Sequence, residues 1–221
     1  MRKERDEPPE PRLIDKLQLA SSAARHVDGV WIGSYWGPEL LPRIESALLL
    51  MKQHSPLHYG RLLCDLDRIW IYLLPHAAAE YHASINACVI DKRYIANLDT
   101  SVEQLASTIL HEATHARLDR CGIRYEEARR TRIEAICCRR ELALATRLPD
   151  SALLQEDVVQ RLNWYQANPD YFSDANFREL RTHGEIEMLR HVGIPDRLIR
   201  VMPAIKSLIG RVRKLFRFAR S

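Results

Sequence analysis

The chain has 221 residues, 46% of them hydrophobic and 28% charged, enough to bury one good core and ordinary for a soluble globular protein. A formal charge of +4 argues against a general nucleic-acid coating, and no stretch approaches the roughly 18 consecutive apolar residues of a membrane-spanning helix. Five cysteines, two of them neighbours at Cys137 and Cys138, argue for free thiols over a disulfide frame, and so for a cytoplasmic protein.

Residues 1–12 are charged and proline-bearing with no apolar run behind them. They are predicted to be a disordered tail, neither a signal peptide nor a membrane anchor. Leu13, Leu17 and Ala20 share one helical side, and their spacing predicts a helix over 13–25 that stops at Asp28-Gly29. An aromatic loop or short strand is expected over 30–38, with Trp31 and Trp36 packed. Leu41, Ile44, Leu48 and Met51 predict a second helix over 39–53, ended by Ser55-Pro56. The period then changes. Residues 69–74 are rich in β-formers, and 84–90 and 93–97 flank Asp91-Lys92 as a hairpin. Three short strands are therefore expected before residue 100, with 84–90 placed near any cleft.

Residues 100–120 carry the strongest signal. Thr100 followed by Glu103 reads as a capping box. Val102, Leu105, Ala106, Ile109, Leu110, Ala113 and Ala116 recur at helical intervals, so one side of this helix is buried. His111 and His115 stand four residues apart, about one turn, so their imidazoles project from one face and can meet at one tetrahedral zinc ion. Glu112, one step round the helix, can reach a water on that metal.

Residues 125–147 predict the next helix, with Ile133, Ile136, Cys137, Arg140, Ala143 and Leu144 as a mostly apolar stripe. Glu127, Glu134 and Glu141 recur every seven residues and lie on a similar face. Helices over 153–167 and 177–192 follow, the latter bearing His183 and His191. From Ile205 the apolar positions Leu208, Ile209, Val212, Leu215 and Phe216 form a helical stripe opposed by six Lys and Arg residues, with no acid after Asp196. The net charge therefore divides into +6 on this segment and −2 on everything before it.

The H-E-x-x-H pattern of His111, Glu112 and His115 resembles that of the zincin metallopeptidases. In the metzincin branch a helix-breaking glycine and then a third histidine follow; here Leu118 and Cys121 hold those positions. The chain departs from that pattern, with Cys121 left as a minor ligand candidate. In the gluzincin branch the third ligand is a glutamate from the following helix, and the resemblance implies Glu134, which stands between Ile133 and Cys137 beside the apolar stripe. A buried carboxylate there is costly unless it is paired or binds a metal. Glu127, Asp119, His183 and His191 are the alternatives. The resemblance further implies Zn2+ held by His111, His115 and Glu134, with Glu112 as general base. An oxyanion donor is implied among Tyr125, Tyr165, Tyr171 and His183, together with a strand along the cleft that pairs with extended substrate.

The expected fold is α+β: a mainly helical zincin-like domain over 13–198 with a small three- to four-stranded sheet, followed by a basic amphipathic helix over 199–221. The expected function is that of a zinc-dependent peptidase acting on protein or peptide substrates. Two other classes stay open. One is a non-catalytic metal-binding interaction protein, which would tolerate Glu112→Gln. The other is an adaptor whose basic C-terminal helix meets an anionic membrane surface or, less favoured, nucleic acid. The sequence is silent on oligomeric state.

Overall fold

The computed structural model describes residues 10–199. Residues 1–9 and 200–221 lie outside the described residues, and with them the expectations of a disordered N-terminal tail and a basic C-terminal helix. The elements run α1 (Leu13–Ala20), β1 (Ala23–Val27), β2 (Val30–Ser34), α2 (Leu41–His54), α3 (Pro56–Asp65), β3 (Arg68–Tyr72), β4 (Ala79–His82), β5 (Ala87–Asp91), α4 (Lys92–Ala96), α5 (Val102–Arg120), α6 (Glu127–Ala145), α7 (Ala152–Ala167) and α8 (Asp174–His191). The fold is α+β and mainly helical, as expected, but the sheet has five strands, in the order β1-β2-β3-β5-β4. The three inner strands run parallel; β1 and β4 are antiparallel edges.

Alternation along the strands sends Ile32, Ile69, Ile71, Cys88 and Ile90 to one face, where they join Ile44, Leu48, Leu62, Leu105 and Ile109 in the main core. Trp70, Ala87 and Val89 point the other way and form a smaller cluster against Leu19 of α1 and Trp31. The inward face predicted for α2 is the observed one, since Leu41, Ile44, Leu48 and Met51 are all buried. Helix α5 is enclosed by α2 and α3, the β4–β5 edge and α6, so it is buried on most of its circumference and not along one stripe.

Four local expectations are corrected. The first helix ends at Ala20, and 23–27 is a strand. Asp28 (φ 47°) and Gly29 (φ 94°) make the two-residue turn that pairs Val27 with Val30; positive φ at both positions matches the twist of a tight hairpin. Pro56 does not merely end a helix. It opens α3 within the first turn, where its missing N–H leaves no intrahelical bond unmade.

The expected second strand over 93–97 is replaced by the helix α4 over 92–96, because the buried Asp91 carboxylate caps it. It accepts from the backbone N–H groups of Arg93 at 2.7 Å and Tyr94 at 3.4 Å, and from Leu74 N–H at 2.7 Å. The hairpin partner of β5 is instead β4, which lies upstream. Finally, the cap of α5 falls one residue later than expected. Ser101 Oγ accepts from Gln104 N–H at 3.1 Å and Gln104 Oε1 accepts from Ser101 N–H at 2.8 Å, while the Thr100 hydroxyl donates to Tyr94 O.

The turn after α5 positions everything that follows. Gly122 is left-handed (φ 77°), and Ile123 N–H donates to Leu118 O at 2.9 Å while Gly122 N–H donates to Asp119 O at 2.8 Å. This is a Schellman ending, and it sends the chain back so that α6 packs along α5. Among the described residues, no helix is long and apolar enough to cross a membrane.

Candidate metal centre and its cavity

Ser107, His111 and His115 succeed one another every four residues along α5, and Glu134, Cys137 and Glu141 lie at intervals of three and four along α6. On packed helices these spacings bring two rows of side chains face to face. His111 Nε2 lies 3.1 Å from Glu134 Oε2, and His115 Nε2 lies 3.4 Å from Glu134 Oε1. Both imidazoles thus turn the same nitrogen toward one carboxylate. The Tyr125 hydroxyl donates to Glu134 Oε1 at 2.6 Å. On the far side, His111 Nδ1 lies 2.6 Å from Glu141 Oε1, and Glu141 Oε2 accepts from Ser107 Oγ at 2.8 Å and from Arg161 Nη2 at 2.7 Å.

Burial and pairing compete at each group. Burial disfavours the His111 imidazolium, yet Cys137, Glu141 and Glu134 hold its pKa well above the usual value. Burial also opposes charge on His115, and Cys137, Glu134 and Glu112 raise its pKa to about 10. For Glu134, burial would favour the neutral acid, but hydrogen bonds from both histidines hold its carboxyl well below the usual range. Glu141 is likewise lowered against its burial, by His111, Arg161 and Ser107. Glu112 goes the other way: burial raises its pKa, and the histidines offset only part of that. Two paired carboxylates and a third one left poorly compensated make a buried pocket of negative potential. Protons on His111 and His115 answer that potential, and a divalent cation between the same groups would answer it as well.

His111, Glu112, His115, Glu134 and Glu141 sit in the wall of an open cavity of about 610 Å³. One side is the edge strand β4 and the segment before it, residues 76–81. The other is an aromatic wall that includes Tyr165, Tyr171, Phe172 and Phe177. Arg130 braces that wall. Its Nη1 donates to Phe172 O at 2.9 Å, its Nη2 lies 2.6 Å from Asp174, and its guanidinium sits 4.8 Å from the Phe177 ring. Helix α8 crosses so close to the chain at Pro75 that any side chain at Gly184 would overlap the Pro75 carbonyl.

The structure brings together His111, Glu112, His115 and Glu134, and it separates the alternatives. Glu127 is exposed in the first turn of α6, accepting from Asp174 N–H at 3.1 Å. Asp119 lines the cavity but pairs with Arg124 at 3.6 Å. His183 and His191 are exposed on α8, and neither they nor the exposed Cys121 line the cavity. Of the oxyanion candidates, Tyr125, Tyr165 and Tyr171 line it. The strand beside the cavity is β4, not 84–90. Sequence reasoning assigned Cys137 to the apolar stripe; one donor atom from each of His111, His115 and Cys137 in fact lie within 4.8 Å of one another. The spacing of Cys137 from Glu134 held that signal.

Compared with protein-family models, curated proteins and solved structures, the chain matches none.

Proposed function

We propose that the protein is a zinc-dependent peptidase in which His111, His115 and Glu134 hold the metal. The observation that supports this reading is the convergence of both Nε2 atoms on the Glu134 carboxylate, at 3.1 and 3.4 Å, in the wall of an open cavity. The donor set suits zinc: two imidazoles and one carboxylate leave a position for a non-protein ligand. His111 also carries the outer carboxylate, Glu141, that metal-bound imidazoles characteristically have. Bound there, zinc would supply a Lewis acid for the scissile carbonyl and an acidified water.

The chain's own residues divide the remaining work. Glu112, buried beside both histidines and with a raised pKa, is the base that accepts the proton of the attacking water and returns it to the leaving amine. The Tyr125 hydroxyl is engaged by Glu134 and orients it, which leaves Tyr165 and Tyr171 as the cavity tyrosines able to face a developing oxyanion. Strand β4 is the last in the sheet, and residues of it line the cavity. An extended peptide or protein segment could add to that edge, which gives affinity through backbone hydrogen bonds. All five cysteines are free thiols, the form that a reducing compartment maintains, and the proposed location is the cytoplasm.

The test is cleavage of a mixed peptide library by the purified protein, with and without a zinc chelator, beside Glu112→Gln. Cleavage that the chelator stops and that Glu112→Gln lowers by about 10²–10⁴-fold is expected. Undiminished cleavage in either case, or none by a zinc-replete protein, rules the reading out. The second reading, a metal centre without catalysis, is favoured by one specific feature: the additional donor at Cys137.

A further inference from the structure

Building on the metal-centre reading, we propose that Cys137 is a fourth protein ligand, whose thiolate closes the centre in the substrate-free protein and must leave before hydrolysis can begin. The donor atoms of His111, His115 and Cys137 already lie within 4.8 Å of one another. With zinc–nitrogen and zinc–sulfur bonds of about 2.1 and 2.3 Å, tetrahedral ligands stand about 3.6 Å apart. Shifts of about an ångström therefore suffice to bring the thiol onto a shared metal.

Cys137 follows Glu134 by one helical turn on α6, so both side chains approach the same pair of imidazoles. Its thiol is fully buried, yet it lies beside those imidazoles and outside the clusters of the apolar core. Helices α5 and α6 would each supply two donors. Three protein donors make the open type of zinc site and four the closed type, so this one thiol decides whether the centre is available to a substrate. On ligation the thiol proton is released to solvent, the sulfur–metal bond forms, and nothing is oxidised or reduced.

The neighbouring thiol provides an internal control. Cys138 lies near His111 and Glu141, but Glu141 is held there by His111 Nδ1, Ser107 and Arg161. That position is behind the imidazole, away from the Nε2 that faces Glu134.

The experiment loads the full-length protein with Co2+ and records the near-ultraviolet absorption that arises only when a thiolate is bound to the metal. Wild type and Cys138→Ser are expected to show the band. Cys137→Ser and Cys137→Ala are expected to lose it while still taking up one cobalt through the remaining three ligands. A cobalt-loaded wild type without the band overturns the proposal, as does a band that survives in both Cys137 variants. A wild type that binds no cobalt overturns the metal-centre reading as well.

The same variants tested on a peptide library separate the two ideas. Faster cleavage by Cys137→Ser than by wild type supports the closing role, and slower cleavage refutes it. A thiolate band with no cleavage by any variant removes the peptidase reading and leaves Cys137 as a ligand of a non-catalytic centre.

Discussion

The His111 ring is gripped from both sides by helix α6: Nδ1 lies 2.6 Å from Glu141 and Nε2 lies 3.1 Å from Glu134. The two carboxylates stand seven residues apart in sequence, two turns of one helix. When Nδ1–H donates to Glu141, the lone pair of Nε2 is left to face the site, which is the tautomer a metal ligand requires. Ser107 and Arg161 fix the other Glu141 oxygen, so the orientation of the ring is set by a chain of contacts that reaches α7.

Glu141→Gln is therefore expected to lower zinc affinity by about 10- to 100-fold without changing stoichiometry at saturation. Titration against a chelator of known affinity measures this. An unchanged affinity would mean that Glu141 serves only to pair buried charge.

Glu134 and Glu127 make a direct comparison, since one faces both histidines and the other is exposed at the start of α6. Glu134→Ala is expected to lose stoichiometric zinc, and Glu127→Ala to retain about one per chain, as read by plasma mass spectrometry. Zinc at 100 times its dissociation constant adds about 2.7 kcal/mol to stability. Thermal unfolding of wild type and Glu127→Ala should shift upward on zinc addition, and that of Glu134→Ala should not.

Arg130 ties the aromatic wall to α6 through Phe172 O, Asp174 and the Phe177 ring. Arg130→Ala is expected to cost about 1.5–3 kcal/mol, the range for hydrogen bonds to charged groups. Amide exchange should quicken in residues 169–177 while zinc content stays at the wild-type level. Equal exchange in both proteins would show that the wall is held by its apolar contacts alone.

Two glycines on helices should respond oppositely to alanine. At Gly184 a methyl group would overlap the Pro75 carbonyl, so Gly184→Ala is expected to destabilise by about 1–3 kcal/mol as α8 is forced off the chain beneath it. At Gly60 in α3 an added Cβ meets nothing within 4 Å, so Gly60→Ala is expected to stabilise by about 0.5–1 kcal/mol through helix propensity. Denaturant unfolding of the two variants measures both signs.

Local periodicity was enough to locate the buried face of α2 and to place His111, Glu112 and His115 on one helix, because those relations span only a turn or a few turns of backbone. The tertiary structure decided the rest. Asp28-Gly29 reads equally as a helix stop or a hairpin turn until Val27 finds Val30 across it. Asp91 looks like part of a turn until its carboxylate is seen to cap residues 92–96. The strand Ala79–His82 is four residues long and only partly buried on an edge, so it carries no alternation strong enough to announce itself. Seven-residue spacing put Glu127, Glu134 and Glu141 on one face of α6. Only the reversal at Gly122 and the packing of α6 on α5 decided that Glu134 and Glu141 would grip His111, that Cys137 would stand beside them, and that Glu127 would remain outside. The two contacts on His111 join residues 23 and 30 positions apart, separations over which neither helical nor strand period carries information.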